Sequence, residues 1–164
     1  MSSPAFTKLQ YISDAHFLWM LGEGGAPAPD LALAPGGVDT PEILRIVRRM
    51  TQRLHQDGSR GSWMMVGGSE VVGLCSYKQA PAADGTVEIG YGVAPSRRNL
   101  GHATRAVAAM LDHARGDPAV RAVTAATAVG NVASQRALEH NGFVRAGASH
   151  DPDDGEMILW KIVF

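Results

Sequence analysis

The residues best placed to do chemistry stand where a β-rich run gives way to a helix-forming one: Tyr91-Gly92-Val93-Ala94-Pro95-Ser96-Arg97-Arg98-Asn99-Leu100-Gly101-His102-Ala103-Thr104. A helix start carries unpaired backbone N–H groups and the positive end of the helix dipole. It binds anions wherever side chains leave the backbone open. Gly101 and Ala103 are small enough to leave it open, Arg97 and Arg98 add positive charge, and Thr104 adds a hydroxyl. The residues alone leave two readings, a phosphate site or an ordinary helix start with a loop glycine. The full P-loop pattern ending in Gly-Lys-Ser/Thr is missing, which weakens the case for a nucleotide binder of that kind. Upstream, Glu88 stands inside an otherwise apolar run. A carboxylate there faces a wet cleft, is paired, or points outward from its strand, because burying it alone is costly.

Elements of recognisable type must hold these residues. Ser13 or Asp14 is placed to cap a short helix carrying Phe17, Leu18, Met20 and Leu21, with Gly22 as its stop. A Gly-, Pro- and Ala-rich loop over residues 22–39 is long enough to be a functional flap or a poorly ordered segment. Thr40-Pro41 reads as an N-cap followed by proline at the first helical position. In the helix that follows, Ile43, Ile46, Val47, Met50 and Leu54 recur at helical spacing and are expected to bury one face. Arg45, Arg48, Arg49 and Arg53 fall mostly elsewhere, as a solvated basic face. Residues 62–66 and 71–77 flank Gly67-Gly68-Ser69-Glu70, a hairpin signal, and residues 86–93 form a third strand. A helix over residues 100–115, a strand over 120–127 and a helix capped by Asn131 come next. Strands over 143–148 and 156–164 close the chain. The pattern is one α+β domain over residues 1–164, with a central, mostly antiparallel sheet.

Composition narrows the function. Fifteen basic residues nearly balance sixteen acidic ones, without the basic excess a nucleic-acid partner would require. Cys75, the only cysteine, lies in an apolar run and reads as a small buried hydrophobe rather than a nucleophile. Met1-Ser2-Ser3-Pro4 lacks the character of a signal peptide, and no apolar run is long enough to span a bilayer. A cytoplasmic protein without a membrane partner is expected. The six histidines show no metal-ligand spacing, so no metal is assigned.

Arg98-Asn99-Leu100-Gly101-His102-Ala103 resembles the Arg/Gln-x-x-Gly-x-Gly/Ala signature of the GNAT N-acetyltransferases, and it follows a strand as it does in that family. Asn131-Val132-Ala133-Ser134 through Gly142-Phe143 resembles the family's Asn-x-x-Ser…Gly-Phe helix in the expected order. The run Glu88 to Val93, with Ser134, looks most like the branch holding ribosomal-protein N-terminal acetyltransferases, which also includes acetyltransferases of small amines. The resemblance implies acetyl-CoA as cosubstrate and direct transfer, in a ternary complex, to a primary amine on a protein N-terminus or small molecule. It implies that the segment from Arg97 through Arg98, Asn99, Leu100, Gly101, His102 and Ala103 to Thr104 holds the pyrophosphate. The backbone near Tyr91 and Val93 would pair with pantetheine like an added strand, beside Asn131 and Ser134. That requires splayed parallel strands at Val93 and 120–127. Glu88 is then the candidate general base, and Ser134 supports the sulfur or relays a proton. His102 either touches a phosphate or faces solvent. Many members carry a tyrosine acid where this chain has Leu138, so Tyr91 or Tyr77 would have to substitute by projecting into the cleft. A CoA-binding module with impaired catalysis is the alternative. A homodimer is compatible with either. Acidic residues of the two flanking loops (Glu23, Asp30, Asp151, Asp153, Asp154 and Glu156) would form walls attracting a cationic acceptor.

Overall fold

The computed structural model describes residues 7–164; the Met1 to Pro4 stretch read above for a leader lies outside them. Among the described residues no helix is long and apolar enough to cross a membrane. The first strand, β1 (Thr7–Tyr11), precedes α1 (Asp14–Met20), whose N-cap is Ser13. A two-residue strand, β2 (Ala32–Leu33), interrupts the expected loop and pairs in parallel with Glu70 and Val71. The helix α2 (Pro41–Gln56) starts as its sequence predicts, with Thr40 Oγ1 accepting from the amide of Ile43 at 3.3 Å.

The hairpin β3 (Ser62–Gly67) and β4 (Glu70–Tyr77) turns through Gly68 at φ 63°, a left-handed geometry that glycine adopts without a Cβ clash. Then come β5 (Thr86–Val93), α3 (His102–Arg115), β6 (Ala122–Ala128), α4 (Val132–His140), β7 (Val144–Asp151) and β8 (Gly155–Val163). The strands form one sheet in the order β1-β3-β4-β5-β6-β8-β7, antiparallel except for β2–β4 and β5–β6. This is the expected α+β architecture. Boundaries shift by up to three residues: α3 begins at His102 rather than Leu100, β6 begins two residues later than its apolar run suggests, and β7 runs on to Asp151 rather than ending at 148.

Two apolar layers cover the sheet. One joins Val87 and Ile89 of β5 and Val123 and Ala125 of β6 to Val107, Met110 and Leu111 of α3 and Leu138 of α4. The other joins Met64, Val66, Val71 and Leu74 to Phe17 of α1 and Leu44 of α2. Cys75 is buried in the first layer, where loss of solvent pushes its thiol pKa well up, so it is the inert hydrophobe its neighbours imply. The buried face of α2 differs from the expected one. Leu44, Thr51 and Leu54 are the residues taken into the interior, whereas Ile43 and Ile46 remain 40% and 45% exposed. Arg45 and Arg48 pair with Glu23 and Asp14 on the outer surface.

Candidate active site

The parallel ladder between β5 and β6 runs from Thr86–Ala122 only as far as Glu88–Thr124. Beyond it, β5 keeps its β4 partner through Val93, and β6 keeps its β8 partner through Ala128. The strands therefore splay, and one edge of β5 from Ile89 to Val93 is left without a strand partner. Backbone N–H and C=O groups there are free to accept an added extended segment. A cleft of about 460 Å³ opens at the splay. Tyr91 and Gly92 lie on its β5 side, Asn131 and Ser134 at the start of α4, and Ile43, Ile46 and Met50 of α2 form a wall.

The turn into α3 follows the end of β5 in the chain, and none of residues 97–104 lines the cleft itself. Asn99 (φ 63°) and Gly101 (φ 80°) are both left-handed, and Gly101 is the N-cap of α3. The first-turn amides of His102, Ala103 and Thr104 have no carbonyl within the helix to bond. With the helix dipole, amides so placed are able to hold an anion. The surrounding charges are arranged differently from the expectation. Arg97 is not a free cation, because its guanidinium grips the Glu70 carboxylate through Nε and, at 3.1 Å, Nη2. Arg98 is exposed, and its Nε donates to the Val93 carbonyl at 3.4 Å. Arg105 lies over the turn instead. Its Nη2 donates to the Leu100 carbonyl at 2.8 Å and its Nε to Thr7 Oγ1 at 3.0 Å.

His102 corrects both alternatives set out for it. Its side chain is only 4% exposed and its Nδ1 lies 2.8 Å from Thr7 Oγ1, so it faces neither solvent nor a phosphate. Burial, aided by the Arg105 and Arg97 charges, lowers its pKa and holds the ring neutral. Only its backbone amide remains at the anion site.

Glu88 is paired rather than isolated: its Oε2 lies 2.8 Å from Lys78 Nζ, with both side chains partly exposed. Alternation along β5 puts it on the same sheet face as Gly90 and Gly92. A Cβ on Gly90 would meet Lys78 Cε at 3.2 Å, and one on Gly92 would meet Asp39 Oδ2 at 3.7 Å. The two glycines thus hold open a strip of bare backbone between Lys78 and Asp39. Of the six wall acids expected, only Asp154 lines the cleft. Glu23 is tied to Arg45, Glu156 to His150, and Asp151 accepts the amides of Asp153 and Asp154, which lowers its pKa.

Tyr91 lines the cleft while its ring packs against the first apolar layer, and its hydroxyl donates to the Ser134 carbonyl at 3.2 Å. Burial pushes its pKa up to about 12, so it is a neutral donor near neutral pH. Tyr77 packs edge-on to Trp63 at 5.4 Å in the apolar layer and does not line the cleft. Leu138 is fully buried and serves the core. Ser134 is at the third position of α4, where its amide donates to Asn131 Oδ1 at 3.2 Å.

Asp39, Lys78 and Arg105 had no motif to announce them. Asp39 adjoins the Thr40-Pro41 cap, and Arg105 follows Gly101 by one helical turn. These are the only signals available in sequence. Among the described residues, no three His, Cys, Asp or Glu side chains are grouped to hold a metal ion.

The fold is a mixed sheet whose two parallel neighbours, β5 and β6, splay apart, with a left-handed glycine turn leading from β5 into α3. The profile described as "Acetyltransferase (GNAT) domain" matches residues 30–144, and the chain belongs to that family. Acetyl-CoA-dependent acetyl transfer is the family's activity. No curated protein matches the chain in sequence. Among solved structures, RimL, a ribosomal L7/L12 alpha-N-protein acetyltransferase in complex with coenzyme A, is similar at TM-score 0.71 and 19% identity over 98% of this chain and 95% of its own. The aminoglycoside acetyltransferase AAC(6')-Ib, in complex with coenzyme A, is similar at 0.67 and 16% over 96% and 95%. The microcin C7 self-immunity acetyltransferase MccE, in complex with acetyl-CoA and AMP, is similar at 0.68 and 14% over 96% and 92%. The likeness thus spans several branches of the family rather than one, and at these identities it is a likeness of fold.

Proposed function

We propose that this protein is an N-acetyltransferase that moves the acetyl group of acetyl-CoA directly to a primary amine, on a protein N-terminus or a small molecule, within a ternary complex. The observation that carries the reading is the end of the β5–β6 ladder at Glu88–Thr124, which leaves an edge of β5 unpaired just before the chain turns into α3. The cleft suits acetyl-CoA: the Gly101 turn and the first α3 amides would hold the pyrophosphate, and the edge of β5 near Tyr91 and Val93 the pantetheine. The thioester of that group supplies the activated acetyl.

The chain's own residues manage the protons. An ammonium acceptor must shed one proton before its nitrogen attacks, and a second as the C–N bond forms and the C–S bond breaks. Glu88 takes the first through water and passes it to solvent. The second is matched by the proton that the departing sulfur gains; Ser134 offers its hydroxyl there, and Tyr91 does so by turning its hydroxyl from the Ser134 carbonyl to the sulfur. A Tyr91 pKa near 12 suits hydrogen-bond donation to the sulfur better than complete proton transfer.

The ribosomal N-terminal branch supports a protein N-terminus as one acceptor, and the aminoglycoside branch a small amine as another. The buried Leu138 favours the second reading, a CoA-binding module with impaired catalysis. Glu88→Gln tests the choice. Turnover should fall about 100- to 10,000-fold, with acetyl-CoA affinity nearly unaltered and the acidic limb of the pH–rate profile lost. Wild-type protein that binds acetyl-CoA but acetylates no amine would favour the impaired module. A variant with the wild-type rate and acidic limb would remove Glu88 from the mechanism.

A further inference from the structure

Helix α2 carries more apolar surface than the core uses. Leu44, Thr51 and Leu54 point into the interior, but Ile43, Ile46 and Met50 form an adjacent stripe, one residue or one turn apart. That stripe faces the cleft, where it lies opposite the bare backbone of Gly90 and Gly92 and is continued by Leu74 and Met157. Two isoleucines at 40% and 45% exposure within a concave site are informative where scattered surface apolar residues are not. The same cleft holds two carboxylates, Asp39 and Asp154, while the Lys78 charge is taken up by Glu88. A ligand matching both features has one positive charge and, beside it, an apolar group.

Resting on the proposed transfer reaction, we infer that the acceptor is a cationic primary amine bearing a bulky apolar substituent next to the amine, such as a peptide or amino-acid amide with a large hydrophobic first side chain. Asp39 and Asp154 attract the ammonium, and Ile43 and Ile46 select the substituent. A polyhydroxylated amine would strand its hydroxyls against the isoleucine wall without hydrogen-bond partners. Ile43 and Ile46 are therefore specificity-determining residues.

Binding and turnover separate this inference from the one it rests on. CoA-saturated protein is titrated calorimetrically with L-phenylalanine amide and L-serine amide, which carry the same charge and differ at the side chain. The expected result is tighter binding of the phenylalanine amide by about tenfold or more. Ile46→Ser, and Ile43→Ser combined with Ile46→Ser, should erase that difference while CoA affinity and fold stay unchanged. Equal affinity for the two amides, or binding of neither, overturns the inference. So does a loss of CoA affinity in Ile46→Ser, which would give the wall to the pantetheine arm. A dimer in sedimentation that Ile46→Ser dissociates would instead give it to a second copy, and also overturns the inference. The expected binding preference with no acetyl transfer to either amide upholds the apolar site and overturns only the transfer reaction.

Discussion

Gly101 offers a test in which backbone strain and ligand binding separate. At φ 80° it occupies the left-handed region, where a residue with a Cβ is less stable by about 1–2 kcal/mol. A Cβ there would also come within 2.5 Å of Arg105 Nη1, the far end of a flexible side chain, so the arginine would have to move off its 2.8 Å bond to Leu100. Gly101→Ala should therefore unfold about 2–8 °C lower, at roughly 2–4 °C per kcal/mol for a chain of this size. Gly142→Ala is the control. Gly142 has φ 90° and its added Cβ would only touch Ile162 Cδ1 at 3.4 Å, with no contact to the Gly101 turn. Both variants should lose similar stability in thermal melts. Only Gly101→Ala should lose acetyl-CoA affinity in calorimetry, by about tenfold or more, equivalent to roughly 1.4 kcal/mol. Equal affinities for wild type and Gly101→Ala in folded protein would refute the placement of the pyrophosphate at this turn.

Two further outcomes follow from the site. Tyr91→Phe should lower kcat by about 100-fold, the typical effect of losing one donor to a developing negative charge. Its acetyl-CoA KM should hold, and stability should fall by only about 0.5–1.5 kcal/mol for the lost bond to the Ser134 carbonyl; an unchanged kcat would show that the sulfur needs no help from this hydroxyl. His16 and His102 both have pKa values lowered by burial from the ordinary 6.5. The unfolded chain then binds more protons between that value and the lowered one, so stability is complete above about pH 6.5 and falls as pH drops below it. Denaturant melts from pH 7.5 to 5 should show the loss, and it should shrink in His102→Asn; a stability that rises on acidification would refute the sign.

Much of the fold was legible because its signals are local. Thr40-Pro41 fixes the start of α2, Asn131 the start of α4, and the Gly67-Gly68 turn the tip of a hairpin, whose register shift between Met65 and Val66 no turn residue announces. The start of α3 was misplaced by two residues because a left-handed Gly101 serves as the cap without a side-chain oxygen to announce it. The anion turn was legible in its backbone but not in its charges. Arg97 and Arg105 are both arginines near a glycine, and sequence cannot say that Glu70, from another strand, neutralises the first while the second folds back over the turn.

The wall of α2 shows most clearly what periodicity leaves open. Ile43, Ile46, Val47, Met50 and Leu54 satisfy helical spacing, and so do Leu44, Val47, Thr51 and Leu54; the sets share Val47 and Leu54, and their mean directions differ by only about 60° around the helix. Hydrophobicity ranks the first set higher, since it holds two isoleucines and a methionine against a single threonine-bearing stripe. The structure buries the second. Thr51 can be buried because its hydroxyl meets Ser62 Oγ at 2.8 Å, a partner on β3 that no reading of the helix alone supplies. Once that polar pair is satisfied inside, the more apolar stripe is released to the cleft opened by the end of the β5–β6 ladder. A helix that turns its less hydrophobic side inward leaves isoleucines at a site. The feature that defeats the sequence pattern is thus the one that bears on which acceptor the cleft takes.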